Sequence, residues 1–250
     1  MSGKRVLAGF HAVTARLRHS PESIEALYVD GARRDGRMQQ LLDRAQAAAV
    51  RVTVSDAERL QRIAAGSTHQ GVVALCREVA LARSLDDVLA EVNARTLLLL
   101  LDGVTDPRNL GACMRTAEAA GAQALIVPRD RSASLTPVVA AAAAGAAETL
   151  PLIAVTNLAR AMEEIREAGV WIVGAAGEAE RTLYEIDLTG PVAWALGAEG
   201  PGLRRLTREK CDWLARIPLQ GRTESLNVSV ATGVCLFETL RQRAAKATSA

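Results

Sequence analysis

Two textures of apolar and polar positions divide the chain near residue 96. Ahead of it, residues 6–19 read as a short opening helix, 24–30 (IEALYVD) as a strand, and 38–49 as a helix with apolar residues at helical spacing. Residues 50–54 alternate apolar and polar as a strand, Ser55 stands as the cap of a following helix, and 71–76 form a further apolar strand. Residues 1–76 therefore predict a small α/β unit, and the mixed, amphipathic stretch 77–95 predicts a connection to the next domain.

From residue 96 apolar strands alternate with helices. Strands are expected at 96–101, 124–127, 149–153, 170–174 and 192–196, with alanine-rich helical stretches between them, the run 140–144 included. This alternation predicts an α/β fold in residues 96–250, with a mostly parallel sheet covered by helices on both faces. Ligands of such sheets bind beyond the carboxyl ends of the strands, and a glycine-rich run at Gly197 directly follows the strand 192–196.

Three short runs put glycines or small amides where an apolar segment meets a helix: Asn109-Leu-Gly111-Ala-Cys-Met-Arg115, Leu196-Gly197-Ala-Glu199-Gly200-Pro-Gly202-Leu203 and Ser225-Leu226-Asn227-Val228-Ser229. Backbone donors and polar tips converge on ligands at such places. In the first run Asp106-Pro107 marks a turn and Asn109 stands at the helix cap. Arg115 then leans back across the bare surface of Gly111 toward the helix start, where an anion is favoured. That is a phosphate clamp; alternatively Asn109 only caps and Arg115 only pairs with Glu118.

The second run has the order G-x-x-G-x-G, neither the dinucleotide fingerprint nor the P-loop. Its unusual member is Glu199, a carboxylate among glycines that let backbone approach a ligand, or else an exposed acid ahead of a helix starting near Leu203. The third run opens the long C-terminal helix, where Ser225 or Asn227 alone would be an ordinary N-cap. Between the last two, Ile217-Pro-Leu219 reads either as an apolar wall for a flat ring or as an edge strand.

Composition narrows the classes further. With 250 residues, 49% of them hydrophobic, the chain can bury a real core. Aromatic residues make up only 3%, which counts against an RNA reader built on a stacking sheet. Lys and Arg number 30 against 28 Asp and Glu, and the resulting net charge of +2 is silent about nucleic acid. Locally Arg33, Arg34 and Arg37 cluster, as do Arg204, Arg205, Arg208 and Lys210, and both groups read as solvated faces. Cys76, Cys113, Cys211 and Cys235 are widely spaced with no metal-ligand pattern, so no metal is expected. Neither a signal-peptide core nor a membrane-length apolar run is present, which points to a reducing, cytoplasmic compartment. His11, His19 and His69 all precede residue 96, which disfavours a nucleophile–histidine mechanism in the second domain; His11 and His69 read as core or capping histidines.

With these residues in view, the chain resembles the SpoU family of RNA 2′-O-ribose methyltransferases, within the SPOUT superfamily. The likeness runs through all three motifs in order, in LDGVTDPRNLGACMRTAEAAGA, GAAE at 145–148, VTNLAR and IPLQGRTESLNVSVATGVCLFE. GFHAV at 9–13 and STHQGVVA at 67–74 extend it over nearly the whole chain. The resemblance implies S-adenosylmethionine as methyl donor, a homodimer, and an α/β-knot fold whose C-terminal third forms a deep trefoil knot around the cofactor. It also implies an N-terminal domain resembling the L30e ribosomal protein fold, used to engage RNA. General rules make knots essentially absent, so periodicity alone predicts an ordinary open sheet.

Carried onto this chain, the family's polar catalytic set falls on Asn109, Arg115, Glu199, Ser225 and Asn227. Cofactor contacts fall on Gly197, Ile217 and Leu226, with neighbouring backbone at Gly202 and Leu219. In the implied mechanism Arg115 grips the phosphate beside the target ribose, Asn109, Ser225 and Asn227 fix the ribose and loops, and Glu199 holds Arg115 or the ribose in place. Within the family the likeness is nearest to bacterial members that methylate a guanosine in the peptidyl-transferase loop of 23S ribosomal RNA. A transfer-RNA guanosine 2′-O-methyltransferase is the alternative, weakened by the separate N-terminal domain. A non-catalytic RNA-binding relative would have lost Arg115 or Asn109, and a Rossmann-type enzyme would carry its glycine loop after its first strand.

Overall fold

A computed structural model describes residues 4–77 and 84–248. The chain falls into two units, Met1–Leu81 with Ala144–Thr149, and Ala82–Ala143 with Leu150–Ala250.

The first unit is a four-stranded sheet in the order β1 (Lys4–Ala8), β4 (Val72–Arg77), β2 (Ile24–Asp30), β3 (Val52–Ser55). Strand β4 runs antiparallel to β1 and β2, and β3 runs parallel to β2. Alternate side chains of β4 face opposite sides. Val72, Ala74 and Cys76 join Leu27 against α1 (Phe10–His19) and α2 (Gly36–Ala47), while Val73 packs with Leu60 of α3 (Ala57–Ile63).

Several boundaries differ from the sequence reading. The expected helix 6–19 is a strand and a helix, divided at Gly9, whose φ of 90° ends β1. Pairing of Val6 with Leu75 and of Ala8 with Val73 overrides the local helical pattern. Ser55 ends β3, and Asp56 is the cap of α3, its carboxylate accepting from the Arg59 N–H at 2.7 Å. His69 holds a turn, its Nδ1 accepting from the Gly71 N–H at 3.0 Å, whereas His11 is exposed rather than in the core. The side chain of His19 lies outside the described residues.

The stretch 77–95 is more than a connection. Residues 78–83 lie outside the described residues, but α4 (Leu85–Leu89) follows with a capping box between Ser84 and Asp87. Its Leu85 and Val88 are buried in the core of the second unit. Residues 144–149, expected to belong wholly to the second domain, pack with the first unit instead. There the Glu148 carboxylate pairs with the Arg16 guanidinium, both side chains being buried. The strand expected at 149–153 accordingly begins later, as β7 (Leu152–Val155).

The second unit carries six strands, all parallel, in the order β10 (Trp213–Ala215), β8 (Trp171–Ala175), β9 (Val192–Gly197), β5 (Leu97–Asp102), β6 (Ala124–Pro128), β7. All six residues of β5 are buried, as a central strand of a doubly covered sheet requires. Leu98 and Leu100 face α7 (Leu158–Glu167) through Met162 and Ile165. On the opposite face Trp194 of β9 donates its indole N–H to Thr239 Oγ1 of α9 (Val228–Thr248) at 2.9 Å. Helix α9 packs there beside α5 (Pro107–Ala119), which in turn packs on α6 (Pro137–Ala142). One edge of this sheet is β7 and the other is β10, a three-residue strand absent from the sequence reading; 217–219 is not a strand.

Candidate active site

The polar end of the site begins at the start of α5. Asp106, not Asn109, is the cap: its carboxylate accepts from the Arg108 N–H at 2.9 Å, with Pro107 in the first turn. Asn109 is thereby left half-buried inside the helix with its amide free to look outward. Gly111 is not a bare surface either. A Cβ on it would sit 2.5 Å from the Ala142 Cβ and 2.6 Å from the Val139 carbonyl oxygen, so the glycine is what lets α5 and α6 touch. Arg115 is exposed and, among the described residues, makes neither a hydrogen bond nor an ion pair, so the alternative pairing with Glu118 does not form.

The glycine loop closes on itself directly beyond β9. Ala198 and Gly202 form a bridge, with the Gly202 N–H donating to the Ala198 carbonyl at 2.9 Å. A Cβ on Gly197 would lie 2.0 Å from the Gly202 carbonyl carbon and 2.2 Å from the Leu203 nitrogen, so only glycine permits this fold-back. The far end of the loop is held by Asp102, the buried last residue of β5. Its Oδ2 accepts from the Arg204 N–H at 2.9 Å, and Oδ1 lies 3.5 Å from the Arg204 Nε. Asp102 was not among the expected site residues; only its position, closing an apolar strand ahead of a glycine, marks it in the sequence.

Glu199, projected from this loop, gathers the first and third motifs. Its Oε1 accepts from the Asn227 amide at 2.6 Å and from the Asn109 amide at 3.2 Å, and the Asn227 amide also reaches Asn109 Oδ1 at 2.9 Å. Asn227 works twice, since its Oδ1 accepts from the Ser229 N–H at 2.9 Å and so caps α9. The partners of Glu199 are therefore the two asparagines and not Arg115.

Gly197, Gly202, Ile217, Leu219, Ser225 and Leu226 line one cavity of about 310 Å³ at the carboxyl ends of β8 and β9, with Glu199 on its wall. All the expected cofactor residues are thus brought together. Asn109, Asn227 and Arg115 stand outside the lining, the asparagines joined to it through Glu199. The sequence reading missed Glu178 and Arg208, which pair with each other on the cavity wall, and Glu224. Ile217 and Leu219 form the apolar wall rather than a strand.

The basic cluster after the loop is tied up in ion pairs: Arg204 with Asp102, Arg205 with Glu209, Arg208 with Glu178 and Lys210 with Glu163. Four free cysteines are present, and burial pushes the Cys113 thiol up to about 11 and Cys211 up to about 12, so neither is a nucleophile at neutral pH. No group of metal-ligating side chains occurs among the described residues.

Comparisons with known proteins bear on the same residues. A family model described as the SpoU rRNA Methylase family matches residues 96–237, and one described as RNA 2′-O ribose methyltransferase substrate binding matches residues 6–82. The 23S rRNA (guanosine-2′-O-)-methyltransferase RlmB of Ralstonia nicotianae is 57% identical over 243 residues, covering 97% of this chain and 98% of that protein. The protein of the same name from Pseudomonas syringae pv. tomato is 55% identical over 249 residues, 98% of this chain and 99% of its own. Among solved structures, the SpoU methyltransferase AviRb from Streptomyces viridochromogenes, in complex with the cofactor AdoMet, matches with a TM-score of 0.75 at 28% identity, covering 96% of this chain and 91% of that one.

Proposed function

The chain belongs to the SpoU rRNA methylase family, and from that premise we propose that it methylates the ribose 2′-hydroxyl of a guanosine in 23S ribosomal RNA, in the peptidyl-transferase loop. It is an RNA 2′-O-ribose methyltransferase of the SPOUT α/β-knot class, and its methyl donor is S-adenosylmethionine. The observation that carries the residue-level reading is the hydrogen-bonded chain Asn109–Glu199–Asn227, built from three separate motifs on the edge of one cavity.

The cavity suits such a donor. Its volume of about 310 Å³ falls at the lower end of small-molecule sites. Ile217, Leu219 and Leu226 offer apolar walls for a purine, and their backbone groups make no hydrogen bond within the described residues, which leaves them for the ring edge. Bound there, S-adenosylmethionine supplies a sulfonium methyl carbon already activated for attack.

What remains for the protein is to place the hydroxyl and dispose of its proton. Glu199 Oε1 is committed to the two asparagines, while Oε2 makes no hydrogen bond within the described residues and can accept from a ribose hydroxyl. Glu199 is in this reading a positioning group. Arg115, permanently charged and without a partner among the described residues, grips the phosphate next to the target ribose, and that phosphate takes the proton. Ser225, exposed on the cavity wall, completes the ribose contacts with Asn109 and Asn227.

The remaining expectations take their support from particular features. The first unit, resembling the L30e fold, holds RNA, as the description of the model matching 6–82 suggests. On α9 the exposed Val230 and Phe237, seven residues apart on one helix face, support a homodimer. Among the described residues no helix is long and apolar enough to cross a membrane, and a ribosomal RNA substrate supports a cytoplasmic enzyme.

Incubation with labelled S-adenosylmethionine and undermodified 23S RNA tests this directly, the 2′-O-methyl group being mapped by resistance of the adjacent linkage to alkali. One protected guanosine in the peptidyl-transferase loop is expected. Methylation of transfer RNA alone would overturn the substrate, and no transfer to any RNA would overturn the activity.

A further inference from the structure

The chain has three tryptophans, and two of them are exposed at one place. Trp194 is fully buried, but Trp171 is 56% and Trp213 39% exposed. They open β8 and β10, the ends of the sheet opposite the cofactor cavity, where Gly197 and Ala175 close their strands. In the parallel register Trp213 lies beside Val173, two residues along from Trp171, so both indoles project from the same face.

Between them is a second cavity of about 410 Å³, lined also by Arg181, Glu185, Asp187 and Pro191. The Arg181 guanidinium carbon sits 4.6 Å from the centroid of the Trp213 ring, so this indole face already receives a cation within the protein. Glu185 is held by the N–H and hydroxyl of Thr182, and Asp187 by those of Thr189, and both carboxyls are kept below their usual range by these bonds. Each is charged at neutral pH.

We propose that this cavity binds an arginine or lysine side chain of a basic protein segment, which stacks between the two indoles and pairs with Glu185 and Asp187. Aromatic faces attract cations. The two carboxylates, which also face Arg181, Arg216 and Lys246 of the chain itself, each keep an oxygen free of hydrogen bonds among the described residues with which to pair an incoming cation. The partner is thus a lysine- or arginine-rich segment of the kind RNA-bound proteins carry. The surface is separate from the methyl-transfer machinery.

The test uses the full-length protein and an acetylated pentapeptide amide of alternating glycine and arginine. Because Trp194 is buried, changes in tryptophan emission report Trp171 and Trp213. A saturable change is expected, absent with the same peptide carrying glutamate for arginine and absent with decauridylate. Trp213→Ala should weaken binding about tenfold, and Glu185→Gln with Asp187→Asn should do the same while methyl transfer to RNA stays unchanged. No saturable change up to millimolar peptide, or equal binding by both variants, would overturn the proposal. Saturable quenching by decauridylate would overturn it in favour of a nucleic-acid surface.

Discussion

The Asn227 amide lies 2.6 Å from the Glu199 carboxylate, although the two residues stand on different loops 28 residues apart. That contact ties the glycine loop to the start of α9, and a second amide from Asn109 ties both to α5. A charged acceptor shared by two neutral donors makes each bond stronger than a neutral pair would be. Glu199→Ala should therefore lower kcat by roughly 100-fold while S-adenosylmethionine still binds. Glu199→Gln, which keeps an acceptor but loses the charge, should recover part of the loss. Steady-state kinetics beside cofactor titration separate these, and equal defects in the two variants would refute a positioning role.

Arg115, unlike the four cations that follow the glycine loop, has no partner of its own among the described residues. Removing it leaves no buried charge behind, so Arg115→Ala should fold normally and bind cofactor as the parent does. Its kcat should nevertheless fall by roughly two to three orders of magnitude. Arg115→Lys should rescue little, since a point charge cannot reproduce a bidentate grip on phosphate. Parallel loss of cofactor binding would sink the assignment.

Gly197 and Gly177 line the same cavity but face different surroundings. The Cβ of an alanine at 197 would fall 2.0 Å from backbone, where nothing flexible can yield, whereas at 177 it would meet nothing within 4 Å. Gly197→Ala should abolish S-adenosylmethionine binding by calorimetry, and Gly177→Ala should leave it within about twofold.

Which of these features the sequence displays depends on how local their causes are. The unbroken LLLLL of β5 and the order of the three motifs are local, and they point to a parallel sheet with a site at its carboxyl ends. The identity of β1 is not, because its strand exists through pairing with β4 more than sixty residues later. Gly111 looks like an open surface until α6 is seen against it. Asn109 looks like a cap until Asp106 with Pro107 is seen to start the helix three residues earlier than that reading allows. Glu199 reads as an acid in search of a cation, whereas in the fold it meets two amides.

The cysteines yield a pH prediction. Burial raises the Cys113 thiol from 9.0 to about 11 and Cys211 to about 12, so the folded state holds these protons more tightly than the unfolded chain does. A raised pKa contributes stability that is fully present below the unfolded value and is lost as pH climbs toward the folded one. Urea midpoints should accordingly fall between pH 9 and 11, and Cys113→Ala should flatten that slope. An unchanged slope would place the alkaline loss elsewhere.

Within the first unit, Glu148 gives its carboxylate to Arg16 in a buried pair, and Arg16 also donates to Ser23 Oγ at 3.1 Å. Taking two charges out of water is costly, so the pair itself adds little net stability, but removing one partner strands the other in a low-dielectric interior. Glu148→Ala should therefore destabilise by about 3–5 kcal/mol, read as a lower urea midpoint. Replacing both residues by apolar side chains of similar volume, Arg16→Met with Glu148→Leu, should restore most of it. If the double variant is as unstable as the single one, the pair holds residues 144–149 in place through geometry that apolar packing cannot supply, and charge burial is not the cause.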